Sequence, residues 1–368
     1  MTAIAAPAPS LPLAQAVAPI KAETYQQIVR FISLFEQLVH TPDWQKKTYG
    51  THDITQHNTA CDGAFLSYDF HITPEGPRLI EVNTNAGGGL YFANTTKQKA
   101  VVESSYIETI TTIWQKYRGL TPLRHIAIVD TSPEQQALYA EFVLFTQLFK
   151  QAGWHAYICD PSALNFKNQK LYLNATPIDF VYNRLTDFYL AQPQHHSLKQ
   201  AYLNTAAVFS PSPKAYALYA DKRNLSYVYN DDFWAQCPLA LEDKIFMRQI
   251  IPETRIVTPE TANQLWAERR KIFFKPGDGF GSRGSYRGDK LTTRVWSEIQ
   301  HQNYVAQQAV DPQLIDVLVN NIPTPMKSDI RVFVSMGKIQ LIFARLYQGQ
   351  TTNMRTPGGG FTPVTIIQ

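Results

Sequence analysis

The chain has 368 residues, 44% hydrophobic and 17% charged, which is enough apolar material to bury a substantial core in two or three subdomains. Its 34 basic and 30 acidic residues leave a formal charge of +4 with no Lys/Arg block, which argues against a nucleic-acid partner, although a mild excess of this sign helps attract a small anion. No apolar run approaches the length of a membrane span, and Cys61, Cys159 and Cys237 are far apart without metal-ligand spacing, as small core residues in a reducing cytoplasm would be.

Residues 1–21, MTAIAAPAPSLPLAQAVAPIK, are rich in Ala and Pro but lack the basic start and unbroken apolar stretch of a secretory signal, so they read as a flexible arm ending where a helix begins near Ala22. From Glu23 to about Leu38, Ile28, Phe31, Ile32, Phe35 and Leu38 recur at helical spacing. AFLSYDFHI and PRLIEVNT then read as two strands joined by the turn TPEGP, and after the glycine loop NAGGG a helix is expected over Thr96 to Tyr117, closing a first unit over residues 22–120. A second unit, residues 121–210, runs through the strand HIAIVD, a helix from Glu134 to Gln151 and the strands WHAYICD and IDFVYNR, the rhythm of a Rossmann-like half-domain. The prolines of SPSPK make an extended link to a third unit, residues 211–368. That unit opens with a helix containing ADKRNLSYVY and continues from Ile251 as strands, glycine loops and one helix from Thr292 to Gln302, with no internal repeat.

Chemistry-bearing residues sit at the ends of these elements. Glu81 and Asn83, two apart on a strand, share a face, and the hairpin brings Asp69 across from them. Three hard oxygen ligands suit Mg²⁺; the alternative is a solvated strand face. The following NTNAGGG has glycines that let backbone N–H groups approach an anion. Lys275 ends the strand KIFFK and precedes PGDGFGSRGS, a loop carrying Gly277, Gly279, Gly281, Ser282 and Gly284 that could close over phosphates, although it is not a P-loop, which places its lysine after the glycines. Lys222, just inside a predicted helix, is a phosphate contact or a surface lysine. NYVAQQAVDP reads as a strand running into a hinge whose backbone could meet an adenine edge, with Asp311 or Asp316 for ribose hydroxyls. Near the C-terminus Asp329 and Arg331 share a strand face and are expected as a surface pair. Arg345 ends a strand that reads as buried on both faces, and its guanidinium suits a phosphoryl group or a carboxylate. Arg184 and Asp187 are a structural pair or substrate contacts, and His195-His196 reads as a solvated loop.

Taken together, DIRVFV, AR, TN and GGG resemble the late part of the ATP-grasp fold in bacterial glutathione synthetases and ribosomal-protein glutamate ligases, and IPETRIV resembles the segment those enzymes place before the glycine-loop lysine. In that order an Asp and a Glu-x-Asn would follow, whereas here they stand at the front, in LSYDFHITPEGPRLIEVNTNAGGGL. The arrangement is similar to eukaryotic glutathione synthetase, and ADKRNL and FFKPGDGFGSRG keep its order; the motif-level pattern spans about Phe65 to Pro363. The resemblance implies an α/β (α+β) fold, a circularly permuted ATP-grasp with an inserted Rossmann-like substrate domain. It implies ATP and Mg²⁺, with Glu81 and Asn83 as metal ligands and Asp69 or Asp278 as a third. It places Lys222, Lys275, Gly279, Gly281 and Ser282 at the phosphates and Gln307, Gln308, Val310 and Asp311 around the nucleoside. Lys275, Arg345 and Asn353 are then the catalytic set. Two departures stand out: Ser67 occupies the position where the family commonly has an arginine two residues before Asp69, and only Asp278 stands where the permuted family has a metal-binding glutamate. The implied activity is cytoplasmic amide-bond formation between a small-molecule carboxylate and an amine through an acyl phosphate, with no side-chain nucleophile, no membrane or nucleic-acid partner, and room for a homodimer. An ATP-binding regulatory protein and a small-molecule phosphotransferase are the alternatives.

Overall fold

A computed structural model describes residues 11–50, 52–57, 63–279, 283–353 and 356–368. Among these, the first unit comprises β1 (Ala18–Lys21), α1 (Ala22–Val39), α2 (Pro42–Tyr49), β2 (Leu66–Thr73), β3 (Gly76–Asn83), α3 (Gly89–Asn94) and α4 (Lys99–Arg118). The middle of the chain holds β4 (His125–Val129), α5 (Tyr139–Gln151), β5 (His155–Cys159), β6 (Leu164–Lys167), β7 (Lys170–Leu173), β8 (Thr176–Pro177), β9 (Phe180–Asn183), α6 (His196–Leu203) and β10 (Val208–Ser210). It is followed by α7 (Pro213–Tyr219), α8 (Asn224–Tyr227), α9 (Asp231–Gln236), α10 (Leu241–Ile250), β11 (Thr254–Ile256), α11 (Pro259–Glu268), β12 (Ile272–Pro276), β13 (Tyr286–Arg287), α12 (Thr293–Gln300) and β14 (Tyr304–Gln308). The last strands are β15 (Gln313–Val319), β16 (Ile322–Ser335), β17 (Lys338–Tyr347) and β18 (Gly360–Ile367).

The largest sheet has seven strands in the order β1-β18-β17-β16-β2-β3, with β15 pairing the first half of the long β16. Strict alternation gives it two characters. One face carries Tyr68, Phe70, Ile330, Val332 and Ala344 into a core capped by the apolar stripe of α1, where the Phe31 and Phe35 rings meet Tyr68 and Phe70 edge-on. The other face carries the charged residues discussed below. Met336 and Gly337, both at positive φ, make the tight turn that lets β16 and β17 run antiparallel. A second, parallel sheet is ordered β10-β9-β4-β5 with α5 packed on β4 and β5, so the strand order reverses between β4 and β9. A third sheet, β11-β14-β12-β13, is antiparallel and stands on a separate core built around Leu265, Phe274 and Trp296.

Three parts of the sequence reading are corrected here. The arm is not free up to residue 21: β1 pairs in parallel with β18 from Ala18↔Val364 to Lys21↔Ile367, because Ala18 and Ile20 reach the core. Between WHAYICD and IDFVYNR, where the sequence reading assigned no element, the chain forms the meander β6-β7-β8, whose turns use Asn168, Gln169 and Asn174 at positive φ, a signal that KNQK and LNAT carry. The C-terminal unit has the extra helix α11, started by Thr258 in a capping box with Thr261 and by Pro259 at the first helical position. No helix of the described residues is long and apolar enough to cross a membrane.

Candidate functional site

Four neighbouring strands present a polar ladder on one face. Asp69 on β2 lies opposite Glu81 on β3 and opposite Arg331 on β16, and Asp329 on β16 lies opposite Arg345 on β17. Fully buried Asp69 is gripped by both arginines: Arg331 donates through Nε to Oδ1 at 2.8 Å and through Nη2 to Oδ2 at 2.6 Å, and Arg345 Nη2 donates to Oδ2 at 2.9 Å. Arg345 also forks onto Asp329, Nε to Oδ1 at 2.6 Å and Nη2 to Oδ2 at 3.0 Å, while the Thr352 hydroxyl donates to Asp329 Oδ2 at 2.7 Å. Burial alone would raise the Asp69 pKa, but the two guanidiniums outweigh it and bring it down to about 2. The Asn83 amide donates to Glu81 Oε1 at 3.2 Å and to Asp69 Oδ2 at 3.3 Å, tying the two carboxylates together. Glu81 is likewise lowered against the effect of burial, mainly by Lys222, whose Nζ is 3.7 Å from Oε2.

The third sheet faces this ladder across a cleft lined by Glu81, Asp329 and Arg345 on one wall and by Phe273, Lys275 and Gln307 on the other. Phe273 and Lys275 alternate with the core residues Ile272 and Phe274, so β12 turns its polar face to the cleft. A bulge in β3 skips Ile80 from the β2 register, and its carbonyl accepts from Lys275 Nζ at 2.9 Å; Gln307 Oε1 accepts at 2.6 Å. Burial lowers the Lys275 pKa to about 8, with Glu81 working in the opposite direction. Lys222 donates to the Gly279 carbonyl at 2.8 Å and so holds the near end of the glycine loop. His71 bridges cleft and hinge, its Nδ1 2.9 Å from the Val310 carbonyl and its Nε2 3.3 Å from the Tyr347 hydroxyl.

The expected residues thus fall into groups. Glu81, Lys222, Lys275, Gly279, Gln307, Gln308, Val310 and Arg345 line the cleft. Asp69 and Asn83 are not part of the lining and join it through bonds to Arg345 and Glu81. Gly281 and Ser282 lie outside the described residues, as does Cys61. Asn353 is exposed one residue beyond the lining threonines Thr351 and Thr352, and its carbonyl accepts from the Thr356 amide. Asp311 is exposed and paired with Arg287 at 3.0 Å; it is Arg287 that reaches the cleft. Asp278 and Asp316 are exposed and outside the lining.

Several expectations change. Lys222 is not inside a helix but in the turn before α8, which is what lets its backbone N–H and its ammonium both bond to the glycine loop. Arg331 is buried and pairs across strands with Asp69 instead of forming a surface pair with Asp329. Arg184 and Asp187 have separate partners: Arg184 donates to the Ala86 carbonyl at 3.0 Å, and Asp187 holds buried His195 at 2.6 Å, so His195 is not in a solvated loop. Cys159 and Cys237 are buried and free, and burial pushes the Cys159 thiol up to about 12, which keeps it unreactive.

The glycine segment after Asn83 also meets an anion, but one of the chain's own. Glu141 on α5 accepts from the amides of Gly88 at 2.8 Å, Leu90 at 2.9 Å and Tyr91 at 3.3 Å. Gly88 has φ +93°, and a Cβ there would lie 2.5 Å from the Phe361 ring. Gly88→Ala is therefore expected to destabilise the protein by about 2 kcal/mol, read as a lower urea midpoint at unchanged slope.

Solved structures share this architecture. A glutathione synthetase-like effector from Globodera pallida, in its apo form, superposes with a TM-score of 0.61 over 97% of this chain and 90% of that one, at 12% identity. A protein assigned as a gamma-glutamylcysteine synthetase from Methylobacillus flagellatus KT superposes with a TM-score of 0.53 over 91% and 85%, at 11% identity. The ATP-grasp ligase PsnB complexed with a minimal precursor overlaps more loosely, at a TM-score of 0.34 over 66% of this chain and 89% of that one, 13% identical. No family model and no curated protein matches the sequence. The chain therefore has a mixed α/β fold similar to that of the glutathione synthetase-like effector and of the gamma-glutamylcysteine synthetase-like protein.

Proposed function

We propose that the chain is an ATP- and magnesium-dependent carboxylate–amine ligase built as a circularly permuted ATP-grasp. The observation that carries the reading is the cleft itself: two lysines and a paired arginine ladder converge on Glu81 between two sheets, and the Glu81 hairpin at the front of the sequence sits beside the C-terminal strand β16. The parallel sheet, read as the inserted Rossmann-like substrate domain, places Asp130 and Arg184 at the carboxyl ends of β4 and β9, where its strand order reverses and small molecules bind in such sheets. Arg184 is buried, and among the described residues its Nε has no hydrogen-bond partner, so a substrate carboxylate that reached it would satisfy a donor otherwise left unpaired.

The donor set fits Mg²⁺. The metal usually takes one or two carboxylates and completes its octahedron with water and phosphate oxygens, and Glu81 offers a partly exposed carboxylate beside the Asn83 amide. Glu81 and Asn83 would hold it. Asp69 could join only if one guanidinium moved to the anion that the nucleotide brings, since both of its oxygens are engaged. The metal would neutralise charge building on the phosphates.

The chain's own groups account for the rest. Two of the three donors of Lys275 are engaged by Ile80 and Gln307, and the third serves the nucleotide. Lys222 holds the glycine loop in place. A substrate carboxylate oxygen attacks the γ-phosphorus, the bond to ADP breaks, and Arg345, held through Asp69 by Arg331, stabilises the transferring group. The amine nitrogen then attacks the acyl carbon, and phosphate leaves as the amide forms.

Phosphate release from ATP measured across paired carboxylates and amines, with hydroxylamine as a trap, tests this reading. An acid-dependent hydroxamate is expected, and Glu81→Ala should lower release at least about tenfold. A stable phosphorylated product would instead indicate a phosphotransferase. Nucleotide binding without either product would indicate a regulatory ATP-binding protein, and normal turnover by Glu81→Ala would remove the metal assignment.

A further inference from the structure

The segment 85–88 lies between two buried arginines that belong to different parts of the fold. On one side Arg331, which grips Asp69, donates through Nη1 to the Gly87 carbonyl at 3.4 Å. On the other, Arg184 of the parallel unit donates to the Ala86 carbonyl at 3.0 Å, and the Asn85 amide donates to the Leu185 carbonyl at 3.0 Å. Backbone carbonyls can orient two guanidiniums only if the peptide units carrying them are fixed. What fixes them is Glu141, whose carboxylate takes the next amides, those of Gly88, Leu90 and Tyr91.

Glu141 is an unusual choice for its place. It is 2% exposed on the apolar side of α5, among Phe142, Phe145 and Phe149. A glutamine of the same shape would present one acceptor oxygen and turn an NH₂ toward backbone N–H groups, so the carboxylate is the group that satisfies all three amides. The glycines are fitted to the same contact: a Cβ at Gly87 would lie 2.3 Å from the Leu138 side chain and 3.1 Å from Arg184 Nη2, and one at Gly89 would lie 2.5 Å from the Tyr106 hydroxyl. The segment is therefore clamped from the parallel unit immediately after the Glu81–Asn83 strand.

We propose that Glu141 is a positioning residue for phosphoryl transfer: by holding segment 85–88 it orients Arg331 at the Asp69 ladder and Arg184 at the substrate crevice, and so couples the two halves of the site. The inference rests on the ligase reading. It differs from a purely structural role in what it affects, since loosening the segment disturbs the transferring group and leaves the nucleotide pocket of Lys222, Lys275 and Gln307 in place.

The test compares the wild type with Glu141→Gln and with Phe145→Leu, a packing change one turn along the same helix whose ring contacts Phe65 and Tyr182. Three quantities are read on the full chain at matched folded fraction: the maximal rate of phosphate release with hydroxylamine and the acid that turns over fastest, MgADP affinity by calorimetry, and hydrogen exchange of peptides covering 84–92. Glu141→Gln is expected to lower the rate about tenfold, keep MgADP affinity within about threefold, and speed exchange of the segment, while Phe145→Leu stays within about twofold of wild type in rate. An unchanged rate in Glu141→Gln, an equal loss in Phe145→Leu, unchanged exchange, or a loss confined to MgADP affinity each overturns the positioning role. A wild type that neither binds MgADP nor releases phosphate removes the ligase reading, and the positioning role with it.

Discussion

Arg345→Leu is expected to cost about 3–5 kcal/mol of stability at neutral pH, as removing one partner of a buried ion network does, and to abolish turnover. Leucine leaves Asp329, which is 2% exposed, with only the Thr352 hydroxyl of the partners described above, and leaves Asp69 with one guanidinium instead of two. The pH dependence of the loss follows from Asp69. Its folded pKa of about 2 lies below that of an unfolded aspartate, so its contribution to stability is fully present above about pH 4 and disappears as the pH falls through 2. Taking away Arg345 weakens that depression. The gap between wild type and variant should therefore be full at neutral pH and narrow below about pH 4, which denaturant midpoints between about pH 7 and pH 2 would show. A gap below about 1 kcal/mol at neutral pH would place the network among solvent-screened pairs.

The same network shows where sequence reasoning reaches and where it stops. Asp69, Glu81 and Asn83 were legible as one hairpin because a strand has a period of two and TPEGP closes the turn, but the register Asp69↔Glu81 also needs the bulge that skips Ile80, which local rules do not state. Arg331 was misread for the complementary reason. Its local neighbour is Asp329, but its partner is Asp69, 262 residues away, and nothing in β16 alone states that β2 will lie beside it. Only the resemblance to the permuted family, with its front hairpin and late strands, hinted at that pairing. Lys222 was placed in a helix by its neighbours' propensity, whereas the bonds of its backbone and side chain to Gly277 and Gly279 hold it in a turn. Glu141 offered a signal that went unread: a glutamate on the same helical face as Phe142, Phe145 and Phe149 must find partners inside the fold, although sequence cannot say that they are the amides of a glycine segment more than 50 residues earlier.

Replacing Lys275 should separate binding from folding. Lys275→Met is expected to weaken MgATP binding about 100-fold, or roughly 2.7 kcal/mol, since it removes a buried cation from the cleft proposed to hold the phosphates. The fold should bear the change better than the ladder bears the loss of Arg345. Holding a charged lysine in this position opposes folding, as its lowered pKa of about 8 shows, although the Ile80 carbonyl and Gln307 oxygen lose their donor and take back part of the gain. The sign of the pH effect is fixed by the same shift. The unfolded lysine ionises near 10.5, so the penalty for a charged buried ammonium is fully present below pH 8 and is relieved as the pH rises from 8 toward 10.5, making the free wild-type protein more stable over that interval. Nucleotide binding should run the other way. A polyphosphate selects the protonated form, so wild-type affinity should fall above about pH 8, by up to about tenfold per unit, while Lys275→Met, with nothing to titrate there, stays flat. Calorimetric titrations of MgATP from about pH 7 to 9.5 measure both curves. A wild type whose affinity does not fall above pH 8 would show that Glu81 and Asp69 keep Lys275 charged against its burial, and an unaffected Lys275→Met would remove the lysine from the phosphate site.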